Sequence, residues 1–227
     1  MKNKNLIYTE YTAGQLISLA HDACTRAEEV YPESITAIVL ASLAVEAFVN
    51  ELTHNMQHPI THKHPANLDT LGHLIKDLDT NRGNLNNKVD VIYYFLTNKK
   101  PPRGDSVYQN FTALIELRNK LVHSRPNRYS TADDPIHNDP GFMKLLFDQS
   151  IVDRSAAKTE YSWHTLIQHP KVAKWAYSSA VNLIKDIWNL LPAGEESTYV
   201  VLGYSPLKLC EKFSSKKPFG RKRSPKT

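Results

Sequence analysis

Glycine is scarce in this chain, with eight residues in 227. Glycine is the default residue at left-handed turn positions and where backbone approaches a ligand closely. The shortage argues against many tight hairpins and against a Gly-rich phosphate loop. Cysteine is scarcer still: Cys24 and Cys210 are the two present, at no metal or redox spacing. A chain of this size without a disulfide framework fits a reducing compartment. The opening MKNKNLIYTEY lacks the apolar core of a signal peptide. The longest apolar stretch, Ile35–Val45, is interrupted by Thr36 and Ser42, ends at Glu46 and is too short to span a bilayer. The expected setting is therefore the cytoplasm, with no membrane partner. No GxSxG, HExxH or P-loop pattern occurs.

What is present is enough apolar residue, 41%, to fill a core, with 22% charged. The net charge of +5 is unevenly placed. From Lys208 onward eight Lys/Arg face one acid, Glu211, so this tail carries +7 and the preceding body about −2. The tail is open to three readings: binding RNA or another polyanion through its charge, a targeting patch, or a solubilising end.

Apolar residues recur at helical spacing along most of the chain. Residues 9–31 carry Leu16, Ile17, Ala20, Cys24 and Ala27 on one stripe, and Pro32 ends it. Ser34 is placed as N-cap of the next helix, ITAIVLASLAVEAFVNEL, which is apolar on nearly every face and belongs in the middle of a bundle. It should fade into a His- and Pro-rich loop at residues 53–67. Weaker helices are expected at Leu68–Leu78 and over NKVDVIYYFLT, then a turn at NKKPPRGD. The next helix runs from about Ser106 to His123, with Leu114, Leu117 and Leu121 as a core seam flanked by Ile115 and Val122. Pro126 stops it. Residues 124–140 read as a long loop, GFMKLLFDQ as a short helix, and HPKVAKWAYSSAVNLIKDIWNLL as the last strong helix, with Val172, Trp175, Ala176, Ser179 and Leu183 inward. TYVVLGY is a short extended segment. The fold class is all-α: an up-and-down bundle of about five to six helices over residues 1–192, with residues 193–227 an extended segment and a basic tail.

Polar residues interrupt this pattern in two places. Glu46 lies inside the most apolar helix, between Val45 and Ala47. It either turns outward through a gap or makes an internal ion pair, for which Arg118 is the best partner. Arg118, Asn119 and His123 sit where a helix is about to stop. Basic groups at a helix C-terminus also simply favour its dipole. Asn119 and His123 share a face, whereas Arg118 and His123 are about 140° apart on a straight helix. A twofold axis near this helix would instead gather two Arg118 and two His123 in one cleft. Metal-free RNA cleavage needs a base for the 2′-hydroxyl, an acid for the leaving oxygen and positive charge for the phosphorane. Histidine supplies the first two and arginine the third. Lys120, Arg125 and Arg128 add charge to grip an RNA backbone. His54, His58, His62 and His64 include one metal-compatible spacing, but Pro59 and the lack of Cys or carboxylate partners favour a solvated loop. No metal or cofactor is expected.

RNKLVH at 118–123 resembles the R-x4-H motif of HEPN domains, and LASLAVEAFVNEL at 40–52 resembles their second helix with its acid. The likeness covers residues 9–191. It implies a small helical bundle, commonly a homodimer, acting as a metal-independent endoribonuclease in toxin–antitoxin, anti-phage or RNA-processing systems. By this likeness Arg118, Asn119 and His123 are the catalytic group, Glu46 supports Arg118, and an antitoxin is a conceivable partner. Some HEPN members have lost activity, so the same likeness also admits a catalytically inactive binding module or dimeric adaptor. The loops at 53–67 and 124–140 and the basic tail fall outside the common HEPN pattern.

Overall fold

The computed structural model describes residues 12–57, 66–81, 83–123, 141–155 and 162–192. They form eight helices: α1 (Ala13–Arg26), α2 (Glu33–Gln57), α3 (Ala66–Thr80), α4 (Leu85–Thr97), α5 (Ser106–Val122), α6 (Gly141–Asp148), α7 (Trp163–Leu166) and α8 (Pro170–Leu190). No strand occurs among the described residues. The architecture is the expected all-α, up-and-down bundle, with two more helices than the upper expected count. Residues 53–57 continue α2 as helix instead of opening a loop, and α7 is a single turn too short to leave a periodic signal. TYVVLGY, the cationic tail and the loop at 124–140 lie outside the described residues.

α2 organises the rest. It packs against α1, α3, α4, α5 and α8, as a helix apolar on most faces must. Ile38, Val45, Phe48, Val49 and Leu52 from α2 are at most 2% exposed and join Leu114 and Leu117 of α5 and Leu183, Ile184 and Ile187 of α8 in one core. Alanine sets the closest approaches. Ala23, Ala27, Ala37 and Ala173 form a small-residue contact where α1, α2 and α8 converge. α2 is also the one described helix long and apolar enough to cross a membrane.

Three positions differ from the expectation. Ser34 is not an N-cap: the helix starts at Glu33, and the Ser34 hydroxyl is buried and donates to the Gln168 carbonyl at 2.8 Å. Val122 is not a core flank but is 56% exposed at the end of α5. Glu46 is not the buried acid of α2. That place belongs to Glu51, 8% exposed, whose Oε1 accepts the backbone N–H groups of Thr12 and of Ala13, the latter at 2.8 Å. The Thr12 side chain makes no capping bond. A carboxylate borrowed from α2 thus satisfies the first amides of α1, where the helix dipole favours negative charge.

Two tyrosines tie α4 to its neighbours. Tyr93 donates to Asp186 of α8, and Tyr108 of α5 donates to Asp90 of α4. Burial, then the bond to Asp90, pushes the Tyr108 phenol up to about 12. Burial, then Asp186, pushes Tyr93 still further. In the unfolded chain both phenols ionise near pH 10. Above that pH the unfolded state holds fewer protons than the folded one, so stability falls as pH rises. A Tyr108→Phe variant is expected to show a shallower alkaline loss between pH 10 and about 12 in urea titrations, and an unchanged slope would remove Tyr108 from that effect.

Candidate active site

Arg118 lies just before the last turn of α5, on the side that meets α2. Leu114 and Leu117 bury the adjoining face, and this fixes the rotation of α5 so that Arg118 emerges at the seam. Its Nη2 donates to Glu46 Oε2 at 3.3 Å and its Nη1 to Asn119 Oδ1 at 3.0 Å. The Arg118 side chain is 26% exposed and that of Glu46 43%. The expected Glu46–Arg118 pair is therefore present, but it is partly solvated and not internal. In such a setting an ion pair orients a guanidinium more than it stabilises the fold. These two bonds use one donor on each Nη, and a guanidinium has five N–H donors in a fork that matches phosphate oxygens.

His123 is the first residue after α5. Its backbone N–H donates to the Asn119 carbonyl at 2.9 Å and its backbone leaves the helical region at φ −107°, ψ 30°. The residue is exposed. The structure thus brings Arg118, Asn119 and Glu46 together. His123 stands apart from Arg118, as about 140° of helical rotation requires. Lys120 is exposed on the side of α5 away from Arg118. Arg125 and Arg128 lie outside the described residues.

A partly apolar stripe flanks the pair. Val39, Leu43 and Glu46 follow one another on α2 at helical spacing. Val39 and Leu43 are half-buried and take no part in the core. Val122, exposed on α5, follows Arg118 by about one helical turn.

The sequence pattern gave no sign of a second polar centre. Between α4, α5 and α6 lies an open cavity of about 590 Å³. Asp90, 21% exposed, receives Arg103 Nη2 at 2.7 Å as well as the Tyr108 hydroxyl. Glu116 Oε1 accepts the first N–H of α6, from Gly141, at 3.1 Å. The cavity draws its residues from three elements, and isolated Asn, Gln and Thr in a sequence carry no periodic signature. The Asn-rich start of α4 borders the cavity, and there Asn84 Oδ1 caps the helix by accepting the Asn87 N–H at 2.9 Å.

Of the histidine-rich segment only His54 is described, exposed on α2; His58, His62 and His64 lie outside the described residues. Among the described residues no group of three or more His, Cys, Asp or Glu is arranged to hold a metal ion. No protein-family model, no curated protein and no solved structure matches this chain.

Proposed function

We propose that this chain is a HEPN-like, metal-independent endoribonuclease that works as a homodimer on single-stranded RNA, in a toxin–antitoxin or anti-phage role. The observation that carries the reading is the clamp on Arg118, by Glu46 from α2 and by Asn119 from its own helix. A guanidinium fixed at a partly exposed seam is preorganised for the charge of a phosphorane. His123, exposed at the helix end, supplies the imidazole for proton transfer. One His123 imidazole takes the 2′-hydroxyl proton, and the oxygen attacks phosphorus. The 5′-oxygen leaves with a proton from the second copy's imidazolium, yielding a 2′,3′-cyclic phosphate and a 5′-hydroxyl.

The divergence of Arg118 and His123 within one chain is why the reading needs two copies, and the Val39–Leu43 stripe beside the pair supplies a contact for the second. Leu43→Asp places a charge at the centre of that contact. It is expected to weaken self-association at least tenfold or so while shifting folding stability by only about 0.5 kcal/mol, because the side chain lies outside the core. Sedimentation of the wild type and the variant measures both. An unchanged dimer moves the interface elsewhere, and a wild-type monomer removes the composite site. Incubation of the full chain with labelled RNA in EDTA, beside the Arg118→Ala/His123→Ala double variant, tests catalysis. Equal cleavage by the two proteins rejects the assignment. RNA retention without cleavage by the wild type leaves the inactive binding module.

A further inference from the structure

The cavity between α4, α5 and α6 has no part in the reading above, and its chemistry is specific. Its volume of about 590 Å³ falls in the range of small-molecule sites. Asp90 is engaged through both oxygens, by Arg103 and Tyr108, and Glu116 through Oε1, by the first N–H of α6. The rest of the polar lining is mostly amide. Asn87 and Gln109 are exposed on opposite walls, and among the described residues their side-chain amides have no partner. Asn86 Oδ1 is buried and likewise has no hydrogen-bond donor. A buried unsatisfied acceptor in a native structure calls for an explanation. Half-buried Leu145, with the buried Tyr108 and Phe142 behind it, supplies the apolar part of the lining. Arg103, its side chain 72% exposed, stands at the rim.

We infer that this cavity binds a nucleobase. A side-chain amide offers a donor and an acceptor side by side, which is the pairing that reads a base edge. The apolar lining packs against the base, and the Arg103 guanidinium at the rim, bonded to Asp90 through Nη2 alone, takes a phosphate or stacks through its remaining face. The base comes either from a free nucleotide or from an RNA strand. The placement favours the strand, and to that extent the inference rests on the RNA reading. Gln109, Thr112, Glu116, Lys120 and His123 succeed one another along one side of α5. His123 follows Glu116 by two helical turns, about 10 Å along the axis. A strand whose scissile phosphate lies at His123 therefore passes Lys120 and reaches the cavity with a neighbouring base.

The test uses the full-length Arg118→Ala/His123→Ala protein in EDTA, so that binding is read apart from cleavage. AMP, GMP, CMP, UMP, ribose 5-phosphate and eight-nucleotide RNA homopolymers are titrated by calorimetry. At least one mononucleotide is expected to bind, and ribose 5-phosphate is not. Asn87→Ala and Gln109→Ala, both at exposed positions, are each expected to weaken that binding about tenfold. RNA binding tighter than its mononucleotide assigns the site to a strand; equal affinity assigns it to a free nucleotide. Absence of saturable nucleotide binding, equal binding of ribose 5-phosphate, or affinities unchanged in both variants overturns the inference. A protein that cleaves no RNA but binds a mononucleotide through Asn87 and Gln109 retires the nuclease reading and leaves this one standing.

Discussion

Arg118→Ala is expected to lower RNA cleavage in EDTA by about 10²–10³-fold, the usual loss when a preorganised charge opposite a developing anion is removed. His123→Ala is expected to lose about 10²–10⁴-fold, the range for a general acid–base group. The double variant should not lose the product of the two factors, because groups that act as a unit are strongly non-additive. Glu46→Ala separates orientation from chemistry. Asn119 still accepts from Nη1, so about a tenfold loss is expected, mostly in kcat. The partly solvated pair limits the accompanying stability change to at most about 1 kcal/mol. Single-turnover rates with a labelled oligonucleotide, set beside urea midpoints for each variant, give both quantities. Cleavage retained by His123→Ala removes the imidazole from the mechanism. A Glu46→Ala loss as large as that of Arg118→Ala gives the carboxylate a role beyond holding the guanidinium.

α5 shows what local information fixes. Leu114 and Leu117 at helical spacing, with a proline three residues beyond His123, set its span to within a residue of the one observed, Ser106–Val122. The same pattern places Arg118 next to the core, and from there the partnership with Glu46 is legible. How deeply each acid of α2 is buried is not. Along the chain Glu46 has the more apolar neighbours, Val45, Ala47 and Phe48, while Glu51 stands beside Asn50 and shortly before Thr53, His54 and Asn55, so the linear pattern points to the wrong acid. Only the packing of α1 and α5 decides that one is 43% exposed at its side chain and the other buried. Lys88 makes the same point: it is 5% exposed, bonded to Asn50 of α2 and paired with Asp79 of α3, a junction of three helices that no linear pattern encodes. The cavity was invisible for a related reason. Its amides and hydroxyl read as ordinary helix-surface residues until α4, α5 and α6 are set side by side.

Glu51 is where a misjudged acid has the largest consequence for the fold. Its Oε1 takes the Thr12 and Ala13 amides, and Thr12 makes no cap of its own. Truncation to alanine strands the buried Ala13 donor, releases that of the exposed Thr12, and opens space beneath the start of α1. Each charge-assisted bond contributes about 1.5–3 kcal/mol. Against this stands relief from the cost of burying a carboxylate, which makes the net smaller than the sum of the bonds. Glu51→Ala is therefore expected to destabilise by about 2–4 kcal/mol and to lower Tm by about 5–15 °C for a chain of this size. Glu51→Gln keeps an oxygen in place without the charge and should lose about half as much. Hydrogen exchange locates the effect: amides in the first turns of α1 should lose protection ahead of those in α8. The contrast with Glu46→Gln, expected to change stability by no more than about 0.5 kcal/mol, is decisive. If the two positions respond alike, the carboxylate beneath α1 is not its cap, and the start of that helix is held by its packing on α2 alone.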